Sequence, residues 1–519
     1  MSEPTHDDRA AVELDGSPLA IGRVLSVARR GADLSIPGPT IDLLREHRQA
    51  LEAIAADGLP HYGVNTGFGS LARERIDNDS LDELQVNLVQ SHAAGVGEPL
   101  PEDVVRGSMV ILAASLARGR SGVRPAVVEQ ITAMLNAGVS PVVPSIGSVG
   151  ASGDLAPLAH IACAMTGVGE ATLNGETLPA ADALSRAGLE PITLKAKEGL
   201  ALINGTHLMA AQACLLLHDA DRLLRAALVA GAMSVDGCKA SSGPFDPRIA
   251  ELRAHPSIGL VAREIRSLLD GSQIGPSHRD NDPRVQDPYS LRCQPQVIGA
   301  AIDALAYVRS ACERELGAVT DNPLLSDDEL LSGGNFHGMP IALPLDHLAA
   351  AIAPIAGMAE RRVFWMLAAI DEESGLSPHL ASRPGVTSGL MIAQYTAAAA
   401  CNEIIGLCHS ATAANISTCA GIEDYNSFGP RAAAKARRAI DLAERVVAIE
   451  LLAAAEAIEQ HRPLRSGDRI EAAHTTIRAA VPRFITDRPP SPDIEAITGL
   501  IREGVFDESV SLAEKEPQR

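Results

Sequence analysis

The residues with the greatest chemical potential run from Gly147 to His160, through Ser148, Gly150, Ala151, Ser152, Gly153, Asp154 and Pro157. One reading is a tight turn feeding a helix, with Ser152 or Asp154 as N-cap and Pro157 in the first turn. A phosphate loop fits poorly, because the glycines lack GxGxxG spacing, no GK[ST] follows, and no Lys or Arg lies between 141 and 160. Autocatalytic backbone cyclisation fits better. Gly153 has no side chain to block attack of its nitrogen on the Ala151 carbonyl, and Ser152 can lose water to leave a conjugated alkene. The product is an electrophile that no ordinary side chain supplies.

Other residues of suitable type are scattered along the chain. Tyr62 opens the Gly-rich string Tyr62 to Gly69, and on its own would be a loop tyrosine packing its ring. Asn204 would be a helix cap. Arg292, close to Gln286 and Tyr289, would be either a surface ion pair or an anchor that binds a carboxylate with two parallel, charge-assisted hydrogen bonds. Phe336 on its own reads as core. His160 and His337 raise the question of a metal, but no HExxH or clustered His/Cys spacing accompanies them, so no catalytic metal is predicted.

From Gly150 to His160 the sequence resembles the histidine, phenylalanine and tyrosine ammonia-lyase family, whose 4-methylideneimidazol-5-one group (MIO) forms from an Ala-Ser-Gly tripeptide. The resemblance recurs at separated places between about residues 60 and 430. It implies that Ala151, Ser152 and Gly153 form the MIO group and that no dissociable cofactor is needed. It also implies that Tyr62 takes the β-proton or assists that step, and that Tyr289 is a partner in proton transfer. Asn204 would stand beside the MIO group, Gln286 would bind substrate, Arg292 would hold the α-carboxylate, and Phe336 would line the pocket. A tyrosine with an ordinary pKa of about 10 needs help to act as a base, so a positive field from Arg292 or helix N-termini is expected.

Two residues bear on the substrate. His92, after Ser91, resembles the histidine lyases, where the histidine helps to hold the imidazole. Glu423 also matches them, in a position where it can accept an imidazole N–H. The chain departs from the histidine-type pattern beside it, reading Ile422, Glu423, Asp424, Tyr425. The resemblance thus implies conversion of L-histidine to urocanate and ammonia, the first step of histidine breakdown toward glutamate. Tyrosine ammonia-lyase or tyrosine aminomutase activity is the alternative.

These residues need elements to position them. Apolar residues make up 46% of the 519, yet aromatics only 3%, so the core must be built mainly from Ala, Leu, Ile and Val. That composition favours close-packed helices. Helical periodicity predicts long helices over 207–235, 296–318, 341–370, 389–416 and 430–460, the last burying a stripe through Ile440, Ala443, Val447, Leu451, Ala454 and Ile458. Helices of that length would reach about 40 Å. The fold class is mainly α: an N-terminal region (1–205) carrying the Tyr62 and Ala151–Gly153 loops, a central long-helix bundle (206–485), and a Pro- and acid-rich tail (486–519) with a mobile tip. The family resemblance implies a homotetramer with active sites shared between subunits.

A net charge of −21 argues against nucleic acid or an anionic membrane as partner. The eight cysteines show no CxxC pairing, the N-terminus lacks signal-peptide character, and no run of about 18 uncharged apolar residues occurs. A soluble, cytoplasmic protein is expected, and with the family resemblance its partner is a small-molecule amino-acid substrate.

Overall fold

The computed structural model describes residues 11–69, 72–73, 76–77, 80–280, 282–326 and 329–512. It is mainly helical, with strands of two to four residues at the edges. Three helices of the first half lead to the site: α1 (Leu81–His92), α2 (Leu155–Met165) and α3 (Glu198–Ile203). The bundle follows, with α4 (His207–Gly237), α5 (Gln294–Leu316), α6 (Met339–Ala368), α7 (Met391–Leu407) and α8 (Gly429–Gln460). A last helix, α9 (Ser491–Glu503), packs on α8 and α4.

The five bundle helices fall where the periodicity puts them, with one difference. The fourth pattern runs to 416, but α7 stops at Leu407. Asp346 is the physical reason: its carboxylate accepts the Ala411 N–H at 2.9 Å and the Thr412 N–H at 3.2 Å, and also bonds the Ser410 hydroxyl. A side chain from α6 has captured the donors that continued helix would use.

The stripe expected on α8 is buried throughout, but burial extends well beyond it. From Val446 to Ile458 every residue is buried, because α4, α6, α7 and α9 all pack against this helix. Charged side chains of α8 and of the turn of helix before its stripe are drawn inside as well, each with a partner. Lys435 meets Asp346 at 2.6 Å, Glu444 meets Arg502 at 2.6 Å, and Glu456 meets Arg478 at 2.8 Å.

The deepest pair is Arg362 with Glu450, both fully buried, joined by two hydrogen bonds of 2.5 and 2.8 Å. Glu450 also accepts from the Ser234 hydroxyl, and Arg362 donates to the Ser290 carbonyl at 3.1 Å. This network ties α4, α6 and α8 to the segment holding Tyr289. Removing one member would strand a buried charge, at a cost of about 3–5 kcal/mol.

The acid-rich tail is ordered through α9. Pro490 precedes the helix and Pro492 sits in its first turn, where a missing N–H costs nothing. Ile494, Ile497 and Ile501 are buried in the common core, which runs without a break from Val12 to Val510. The tip from 513 onward, for which mobility is expected, lies outside the described residues. Among the described residues one helix, α6, is long and apolar enough to span a bilayer, but most of its apolar window is buried inside the bundle.

Candidate active site

A strand at Pro144–Ile146, paired antiparallel with Val96–Pro99, delivers the chain into the Gly147–Asp154 loop, and α2 carries it away. Gly150 and Gly153 both have left-handed φ, 68° and 74°. At Gly153 an added Cβ would stand 2.0 Å from the Gly205 carbonyl oxygen, so only glycine allows this approach. The two backbones interlock: the Gly205 N–H donates to the Ser152 carbonyl at 3.2 Å, and the Asp154 N–H donates to the Gly205 carbonyl at 2.7 Å.

Asp154 is not the side-chain helix cap that its position in sequence offers. Its carboxylate accepts the Leu208 and Met209 N–H groups, each at 3.0 Å, in the first turn of α4. Full burial raises this carboxyl to about 7, although the hydrogen bonds it accepts oppose the rise. Three further bonds hold the other side of the loop. The Phe428 N–H donates to the Val149 carbonyl at 2.8 Å, while the Gly150 carbonyl accepts from the Ser427 hydroxyl at 2.9 Å and from the Gly338 N–H at 3.3 Å.

The tripeptide is thus clamped on both flanks. Among the described residues, no hydrogen bond engages the Gly153 N–H or the Ala151 carbonyl, the two groups that cyclisation would join. The residues present fit a backbone-derived electrophile at this place.

Several of the other site residues gather around Ser152. Its hydroxyl donates to Glu423 Oε1 at 3.2 Å, and Thr418 Oγ1 donates to Glu423 Oε2 at 2.7 Å. His92, at the end of α1, lines a cavity of about 260 Å³ with Ser148, Ala151, Ser152 and Gly153. Its Nδ1 lies 2.8 Å from the Leu88 carbonyl, which can only accept, so Nδ1 carries the proton and Nε2 is left as an acceptor in the neutral ring. Phe336 sits in the turn Gly334–His337, two residues before the Gly338 N–H that holds Gly150. His160 and His337 have structural partners: the Gly95 N–H donates to His160 Nε2 at 3.1 Å, and His337 Nε2 lies 2.9 Å from the Tyr425 carbonyl.

Asn204 ends α3 directly before Gly205. Both protons of its amide are spent, on Asp321 Oδ1 at 3.2 Å and the Asn322 carbonyl at 3.1 Å, while Lys197 Nζ holds Asp321 Oδ2 at 2.6 Å. Tyr62 is half-buried, and its hydroxyl accepts the Gly69 N–H at 3.4 Å. Burial pushes its pKa above 10, and the acidic groups of Cys419, Glu423 and Asp321 push it the same way. The field expected to favour a tyrosinate does not come from this chain alone.

Gln286, Tyr289 and Arg292 stand elsewhere. Arg292 donates to Gln286 Oε1 at 2.8 Å and to the Asp287 carbonyl at 3.0 Å, and its guanidinium lies 4.7 Å from the Tyr289 ring centroid. Tyr289 is 71% exposed. Gln286 and Arg292 line a wide cleft of about 1120 Å³ that also includes Val235 and Asp236, at the far end of α4. From Met209 to Asp236 the helix rises about 40 Å, so one chain keeps the two groups of residues at opposite ends of a rod.

A mainly helical fold built on a buried bundle, with a clamped Ala-Ser-Gly loop at one end of its central helix, defines the class. The aromatic amino acid lyase model matches residues 19–479, and the chain belongs to that family. It is 47% identical over 501 residues to a histidine ammonia-lyase of Anaeromyxobacter sp. (strain K), covering 95% of this chain and 98% of that protein. A histidine ammonia-lyase of Symbiobacterium thermophilum is 46% identical, covering 95% and 97%. Among solved structures, histidine ammonia-lyase from Trypanosoma cruzi superposes with a TM-score of 0.89 at 35% identity, covering 98% and 99% of the two chains. Tyrosine aminomutase from Streptomyces globisporus superposes with a TM-score of 0.91 at 33% identity, covering 96% and 98%.

Sequence reasoning missed Gly205, Ser427, Thr418 and the Lys197–Asp321 pair. Only Gly205 left a signal, as the glycine following Asn204. The others reach the site from distant segments by side-chain bonds that no local spacing encodes.

Proposed function

We propose that this chain eliminates ammonia from L-histidine to give urocanate, using an MIO group made from Ala151, Ser152 and Gly153. The observation that carries the reading is the 3.2 Å contact between Ser152 Oγ and Glu423 Oε1, which puts an imidazole-type acceptor at the tripeptide. Relatives named histidine ammonia-lyase across nearly the whole chain support the same reading. In forming the group, Gly153 N bonds to the Ala151 carbonyl carbon and that oxygen leaves as water. Ser152 then loses its α-hydrogen and Oγ as a second water, for a total loss of about 36 Da. The MIO group supplies an electrophilic carbon that makes the substrate amine a better leaving group.

The chain's own residues do the rest. His92 Nε2 and Glu423 Oε1 face the imidazole, Asn204 and Phe336 flank the reacting end, and Tyr62 takes the β-proton. Arg292 holds the α-carboxylate, with Gln286 beside it and Tyr289 as second proton-transfer partner. Because Arg292 and Ser152 stand at opposite ends of a helix that rises about 40 Å within one chain, we propose that a neighbouring subunit supplies Arg292, in a homotetramer with shared sites. Its charge would then oppose the local rise in the Tyr62 pKa. The eight cysteines are all free thiols, as a reducing cytoplasm maintains, and we assign the enzyme there with no nucleic acid or membrane partner.

The test is an absorbance assay with L-histidine, L-tyrosine and L-phenylalanine in parallel. Urocanate should form fast, with little product from the other two. Turnover of tyrosine alone would overturn the imidazole reading in favour of a tyrosine lyase or aminomutase.

A further inference from the structure

We infer that Thr418 is a positioning residue for Glu423, holding one carboxylate oxygen so that the other is left free for the imidazole. The inference rests on the proposed function, in which the tripeptide matures and L-histidine is the substrate.

The loop from Thr418 to Glu423 closes on itself by backbone bonds. The Thr418 N–H donates to the Glu423 carbonyl at 2.9 Å, and the Gly421 N–H donates to the Thr418 carbonyl at 3.0 Å. Cys419 and Ala420 both adopt left-handed φ, near 50°, to make the turn. These bonds do not involve the Thr418 hydroxyl, which is therefore available for another task. Its one proton goes to Glu423 Oε2 at 2.7 Å, and its oxygen accepts from Asn426 Nδ2 at 3.3 Å. Asn426 is itself buried and anchored to the Ile416 carbonyl by the same amide nitrogen at 2.6 Å. The chain of bonds runs one way, from Asn426 through Thr418 to Oε2.

Oε1 is left with a single partner among the described residues, the Ser152 hydroxyl. Maturation expels that hydroxyl as water. Loss of the Ser152 oxygen thus leaves a carboxylate oxygen unpartnered beside the tripeptide, pointed where an N–H donor would sit. A carboxylate free to rotate would lose this aim, and the Thr418 hydroxyl is what prevents rotation.

The test compares the wild type with Thr418→Val and Thr418→Ser. Intact mass comes first, and all three proteins should show the loss of both waters. Thr418→Val should then raise KM for L-histidine about tenfold or more, the scale of a hydrogen bond to a charged group, with kcat changed by no more than about threefold. Thr418→Ser, which keeps the hydroxyl, should stay within about threefold of wild type in both constants. Fully dehydrated Thr418→Val with unchanged KM would overturn the role, and so would a Thr418→Ser protein as impaired as Thr418→Val. Failure of Thr418→Val to lose water would overturn it too, since Thr418 would then act in maturation. If the wild type keeps both waters, the MIO reading fails; if it is dehydrated but ignores L-histidine, the substrate reading fails, and either result removes the inference.

Discussion

Asp154 accepts the Met209 N–H at 3.0 Å, which fastens the Ala151–Gly153 loop to the first turn of a helix 31 residues long. The reactive loop therefore moves only with the bundle.

That fastening carries a pH dependence. Burial raises the Asp154 carboxyl to about 7, whereas the unfolded chain would release this proton near about 3.9. Between those values the folded protein holds a proton that the unfolded chain has lost, so this group's contribution to stability falls as pH rises through the interval and stays low above it. Asp154→Asn cannot titrate. Its apparent Tm should drop less than that of the wild type between about pH 5 and pH 8. Equal drops in thermal melts of the two proteins would exclude Asp154 as the source.

Gly153→Ala should abolish maturation. The added Cβ would fall 2.0 Å from the Gly205 carbonyl oxygen, at a φ of 74° that alanine disfavours. Mass spectrometry of the purified variant should show the full, undehydrated chain, and activity should be lost with it. A variant that sheds both waters would show that the interlock with Gly205 is looser than it stands here.

Glu423→Gln tests the substrate assignment separately from the electrophile. A neutral amide accepts more weakly than a carboxylate, so kcat/KM for L-histidine should fall about tenfold or more. Any slow turnover of L-tyrosine should fall less. Equal losses on both substrates, in protein that has shed both waters, would move Glu423 from imidazole recognition to the common chemistry.

Subunit sharing predicts complementation. Ser152→Ala and Arg292→Ala should each be inactive alone. Co-expressed and randomly assembled, they should recover up to about a quarter of wild-type activity, because one site in four then joins an intact loop from one chain to an intact Arg292 from another. Measured activity that stays at the level of the separate variants, despite mixed oligomers, would mean that each site belongs to one chain.

The long helices were legible because each has a strong apolar period over several turns, and the Gly147–Asp154 loop because its glycines mark a turn between regular elements. The early end of α7 was not, since the residue that stops it, Asp346, lies more than sixty positions away. Burial of Lys435, Glu444 and Glu456 was also hidden, because a charge pattern shows which residues avoid the stripe and not which partners will neutralise them. The family resemblance implies sites shared between subunits, but it took the fold to show that Arg292, with Gln286 and Tyr289, is the group kept apart from Ser152 and Glu423.

That separation has a kinetic consequence. If each working site borrows its anchor from another molecule, activity becomes a property of the population and not of the chain. Specific activity would stay flat while the oligomer persists and then fall steeply with dilution as it comes apart. Protein supply would act as a threshold, so a cell making few copies would gain almost no turnover from them, and each further copy would count for more than the last until assembly was complete.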